Sequence, residues 1–187
     1  MRISDDRYSR DRLRFDLAFR FIQHEARTRT IRVWTGLTDD RIRKLYRSYL
    51  AEGGDTTITR HRGKSPQQAG YFTRTPRMRH ESAVLASACY LLGVMPANRI
   101  ADAQRTLPGV QRGEALCAAY ESYRQVIPDG RISFEHAVFL VTALARGDEI
   151  HAVGCADCRA LIVVDRFAVR ERRCESCEDG RQGALDL

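Results

Sequence analysis

Lysine is nearly missing from this chain. Of its 31 Lys and Arg residues only Lys44 and Lys64 are lysines, and the remaining cations are arginines. Long apolar runs are missing too. The longest, "SAVLASACYLLGVM", has 14 residues and contains serines, where a membrane span needs about 20. The opening "MRISDDRYSR" is too polar for a secretory signal. These absences lead to the expectation of a soluble, cytoplasmic protein with no membrane contact and with reduced thiols. There is no Gly-rich phosphate loop. No Ser/His/Asp or Cys/His arrangement stands out, so no enzyme is expected.

What is present is charge, unevenly spread. The net charge is +7. Residues 1–80 carry 19 basic and 9 acidic residues, a balance of +10, and residues 81–187 carry 12 and 15, a balance of −3. A GC-rich codon bias accounts for Arg over Lys, but it does not account for that asymmetry. A basic half joined to a mildly acidic one suggests a polyanion-binding face on one part of the molecule only.

The periodicity is helical. In "YSRDRLRFDLAFRFIQHEA" Leu13, Leu17 and Phe21 recur at i, i+4 and i+8, flanked by Phe15, Phe19 and Ile22, which predicts a helix with a wide apolar stripe. In "EARTRTIRVWTGLTDDRIRKLYRSYL" Ile31 and Trp34 form an apolar pair. Gly36 suits a tight turn, and Thr38 is a good N-cap for a helix starting at Asp39. Ile42, Leu45 and Tyr49 form the buried side of that second helix, leaving Arg41, Lys44 and Arg47 on the other side with Arg43 near the edge, all four candidates for DNA contact. This is the layout of a helix-turn-helix over about residues 26–50, although Arg32 stands where such motifs usually carry a small residue. Residues 52–79, rich in Gly, Pro and Thr, read as a basic loop or arm in which Arg60, Arg62, Lys64, Arg74, Arg77 and Arg79 could track phosphates, with Tyr71 and Phe72 as anchors. A helical body follows in "HESAVLASACYLLG", "PANRIADAQRTL", "QRGEALCAAYESYRQVI" and "FEHAVFLVTALARG". Cys89 and Cys117 sit singly in apolar runs and read as core, and His136 as a satisfied residue near a helix start.

The remaining cysteines have a different pattern. Cys155, Cys158, Cys174 and Cys177 form two Cys-x-x-Cys pairs with 15 residues between them, the spacing of a structural zinc site. Four thiolates close a tetrahedron and leave no open position for water. "ALIVV" and "RFAVRERR" are β-prone and predict a hairpin between the pairs, with "EIHAV" as a possible third strand. Residues 149–178 are too few for a core of their own, so one zinc ion per chain is expected to supply folding free energy. A redox Cys-x-x-Cys normally comes once, beside a βαβ pattern, and iron–sulfur clusters as a rule use other spacings.

The expected fold is mainly α: a helical domain over residues 1–148 containing the helix-turn-helix, a small β zinc ribbon over 149–178 and a tail over 179–187. The order of these parts resembles the FlhC family, the larger subunit of the bacterial flagellar master activator. The matching pieces are "AR" at 26–27, "LTDDRIRKLY" at 37–46, the helix before the ribbon, and all four cysteines. The resemblance implies a zinc-containing activator of flagellar or conjugative-transfer genes. It also implies a hetero-oligomer with an FlhD-like helical subunit that contacts double-stranded promoter DNA and RNA polymerase, and it places the zinc ligands at the four cysteines. Members usually continue past the second pair with a basic tail, whereas here "EDGRQGALDL" follows. The other class left open is a zinc-ribbon protein-interaction adaptor without DNA contact.

Overall fold

A computed structural model describes residues 2–51, 58–59, 61, 63–96, 108–169 and 172–179. The protein is mainly helical, with one small antiparallel sheet and a four-cysteine cluster toward the C-terminus. Helix α1 spans Arg2–Gln23. Its inner side is set by Leu17, Ala18, Phe21 and Ile22, all fully buried, while Leu13 is left exposed. The helix stops in a Schellman arrangement in which Ala26 N–H donates to the Phe21 carbonyl and Glu25 N–H to that of Ile22. Glu25 takes the left-handed position, φ 59°, usually given to glycine.

Helix α2, Thr28–Thr35, ends at Gly36 with φ 71°. Leu37 turns inward and is buried. Thr38 caps the start of α3, Asp39–Ala51, by accepting from Arg41 N–H at 3.4 Å. The expected helix, glycine turn and second helix are therefore present. Phe21 packs against Trp34 and edge-on against Phe134, so α1, α2 and the later helices share one apolar cluster.

Phe72 in a 3₁₀ turn, Ala69–Phe72, is fully buried. Tyr71 beside it is half-buried, stacks on His136 and donates to the Arg131 carbonyl. Helix α4 spans Pro76–Leu91 with Thr75 as N-cap and Pro at the first turn. It begins four residues before the stretch that reads as a helix in sequence, because a capping Thr-Pro pair fixes the start. Arg77 and Arg79 are thus helical and not part of an arm. Helices α5, Val110–Val126, and α6, Phe134–Arg146, complete the body. Cys89 and Cys117 are fully buried core residues. The predicted helix over 96–107 lies, beyond Pro96, outside the described residues.

Strands β1, Ile150–Gly154, and β2, Leu161–Asp165, pair antiparallel from Ile150↔Asp165 to Gly154↔Leu161. The hairpin expected between "ALIVV" and "RFAVRERR" is therefore formed instead by "EIHAV" and "ALIVV". After β2 the Asp165 carboxylate accepts the Phe167 N–H at 2.8 Å and ends the strand in a turn, and none of the described residues in 166–173 is a strand. Ile150 and Val163 are buried in the helices' apolar cluster; β2 lies on α4 and β1 on α6.

Candidate metal centre and basic helical face

The first Cys pair sits in the turn between β1 and β2. Cys155 N–H donates to the Ala160 carbonyl at 2.7 Å and Arg159 N–H to the Cys155 carbonyl at 3.0 Å. Closing so tight a turn puts Arg159 at φ 65°. The second pair enters from the other side. Ala156 N–H bonds the Arg172 carbonyl, and a short helix over 175–179 starts on the Cys174 carbonyl. Arg79 of α4 pairs with Glu175 and reaches Glu178 at 4.0 Å, fastening this helix to the body. Arg173 pairs with Asp157 at 3.1 Å, bridging the two Cys turns.

The four sulfurs all lie within 4.8 Å of one another, and Cys158 and Cys174 stand 3.6 Å apart. Sulfurs bound at about 2.3 Å around a tetrahedral ion are roughly 3.8 Å apart, so the set fits a metal with only small contraction. Cys155 is buried and its sulfur accepts the Cys174 N–H at 3.3 Å. The backbone N–H groups of Cys158 and Cys174 pull its thiol down to about 6. The neighbouring thiols of Cys174 and Cys158 push Cys177 up to about 12. A site that favours one thiolate and resists the next is completed by a divalent cation, which lets all four ionise together. These four can therefore hold a metal ion.

The second feature is the outer face of α3. Ile42 and Tyr46 are buried and Leu45 and Tyr49 half-buried, while Arg41, Arg43, Lys44 and Arg47 are all exposed. Tyr46, missed in the sequence pattern, anchors the helix by donating to the Ala26 carbonyl at 2.9 Å. Two of the arginines have local acidic neighbours: Arg43 bonds Asp40 at 2.8 Å, and Arg41 lies 3.9 Å from Asp11 and over the Phe15 ring. Arg32 points outward, 3.5 Å from Asp39, so its size is tolerated.

Lys64 is exposed, and its carbonyl accepts from the Arg27 guanidinium. Glu25 accepts from Thr59 N–H and bonds His61, each at 2.9 Å. Thr59, His61 and Lys64 are thereby clipped beside the end of α1 and the start of α2. Arg60 and Arg62 lie outside the described residues. Arg77 is turned to Glu81 and Asp129 and Arg79 to Glu175. No helix of the described residues is long and apolar enough to cross a membrane. A scan against family models finds no match for this chain, and a search of curated proteins finds none either.

Proposed function

We propose that the protein is a DNA-binding transcriptional regulator, an FlhC-like activator subunit that holds one structural zinc ion on Cys155, Cys158, Cys174 and Cys177. The observation that carries the reading is the α2–turn–α3 unit, whose buried side is Ile42 and Tyr46 and whose outer side presents Arg41, Arg43, Lys44 and Arg47. Such a face suits phosphate contacts and a helix laid in a major groove. Lys64 adds a cation on the adjoining arm, and by sequence Arg60 and Arg62 would extend it. The four-sulfur tetrahedron suits zinc in a structural role. The genes controlled would be flagellar or conjugative-transfer genes, with an FlhD-like helical subunit and RNA polymerase as partners. Leu13 at 55% and Phe19 at 37% exposure on α1 offer that subunit apolar contacts. Co-expression should give a defined complex by light scattering, and a monodisperse monomer with full DNA affinity would remove the need for a partner.

The test for DNA is a salt titration. Each phosphate contact contributes about 0.9 to the slope of log affinity against log salt. Neutralising Arg43, Lys44, Arg47 and Lys64 should lower that slope by about 3–4 and weaken all duplexes alike. Unchanged duplex binding by this variant sinks the assignment. It would favour the adaptor reading, which the engagement of Arg41 and Arg43 by Asp11 and Asp40 also supports.

A further inference from the structure

A groove of about 740 Å³ runs between α4 and the sheet, with Cys174 at its rim. Its apolar lining includes Ala83, Val84, Ala88, Leu91, Val126 and Ile162. Leu91 is 86% and Val126 67% exposed, much for large apolar side chains at the mouth of one cavity. The volume falls in the range of small-molecule sites, about 300–1,000 Å³. From Arg79 to Leu91 the helix runs about 18 Å, which leaves a cross-section of roughly 40 Å². A hydrocarbon chain fits along a groove of that section.

The rim decides the sign of the head group. Of its carboxylates, Glu175 and Glu178 face Arg79, and Asp165 holds the Phe167 N–H and keeps its charge, a single one against two arginines. Among its cations Arg79 and Arg173 are paired with acids, and others are not. Arg172 makes no ion pair among the described residues. The Arg166 guanidinium donates to the Gly147 carbonyl at 3.0 Å and makes no ion pair among the described residues. His151 has its Nδ1 shut off from solvent without a hydrogen-bond partner. All three line the groove. Burial chiefly, and then the charges of Arg172 and Arg166, hold the His151 imidazole below its ordinary value.

We propose that this groove is a binding site for a small amphipathic anion, an apolar chain lying along α4 with its carboxylate-like head held by Arg172, Arg166 and His151. Guanidinium groups are the side chains best matched to such a head. The ligand would bridge α4 and the cysteine-bearing segment. The site owes nothing to the DNA-binding reading and can stand or fall without it.

The probe is dodecanoate, kept below its micelle concentration and titrated into the metal-loaded full chain by calorimetry, with dodecyltrimethylammonium as the cationic control. Wild type should bind one dodecanoate saturably, at least about tenfold more tightly than the cation. Arg166→Gln with Arg172→Gln should remove that preference. Ala88→Trp, crowding the apolar lining, should weaken both probes, and if that variant does not fold the charge variant still decides. No saturable binding to wild type, as expected if a protein segment occupies the groove, overturns the proposal. So does equal binding of the two probes.

Discussion

Glu81 is 1% exposed and yet is held ionised. Burial alone pushes its carboxyl up. The Arg77 guanidinium, the Tyr123 hydroxyl at 2.6 Å and the Arg131 N–H at 2.7 Å together outweigh that and bring it below its ordinary 4.5. The carboxylate thereby ties α4 to the end of α5 and to the loop before α6. A depressed carboxylate contributes stability above its unfolded pKa, and this is lost as pH falls through the folded value. Glu81→Gln should therefore lower the midpoint of thermal unfolding near neutrality, and the gap between wild type and variant should close as the pH drops below about 4.5. A constant gap across that window would show that the charge is not what matters. Glu81→Leu should cost more, about 3–5 kcal/mol, because it strands Arg77, Tyr123 and Arg131 at once. Nothing in the sequence marks this residue: a buried acid and a surface acid look alike until the chain brings partners from 42 and 50 residues away. The four cysteines were legible because their spacing alone states the chemistry.

At the scale of elements, two glycines show different needs. Gly36, at the end of α2, has φ 71° and nothing within 4 Å of where a Cβ would stand. Only the backbone objects there, so Gly36→Ala should cost about 1 kcal/mol. Gly113 is in the first turn of α5, where alanine would gain up to about 1 kcal/mol from helix propensity. A Cβ there would come 2.5 Å from Leu17 Cδ2 of α1, and Leu17 is fully buried with little room to withdraw. Gly113→Ala should thus destabilise by about 1–2 kcal/mol in spite of the propensity gain, as read by denaturant midpoints. A stabilised Gly113→Ala would mean that α1 and α5 are less closely packed than described. The turn glycine could be read from sequence because its neighbours, an apolar pair before and a capping Thr after, are local. The packing glycine could not, since its reason lies on another helix. The misplaced hairpin has a similar cause. "RFAVRERR" has β-prone residues, but the Asp165 cap at its start ends β2 in a turn.

For the whole molecule, the question is how far the metal's influence reaches. The sheet is no isolated bead, since Ile150 and Val163 belong to the same apolar cluster as Phe21, Leu85 and Leu140. Arg79 adds an ionic tie from α4 to the helix that follows Cys174. Metal binding and local folding are coupled at such sites, so losing the metal should loosen the β hairpin and uncover the side of α4 it packs on. The chain has one tryptophan. Trp34 is 5% exposed in α2 and lies against Phe21, on an element that contributes no cysteine ligand. Its fluorescence therefore reports on the helical body. Chelation, or Cys155→Ser with Cys174→Ser, should lower the Trp34 unfolding midpoint. A coupling of about 3 kcal/mol would move it by roughly 6–12 °C in a chain of this size. If the Trp34 transition stays put while far-UV signal and protease resistance fall only in the C-terminal segment, the metal stabilises the ribbon alone. In that case the contacts of β2 with α4 form in the folded state without carrying cooperativity into the helices.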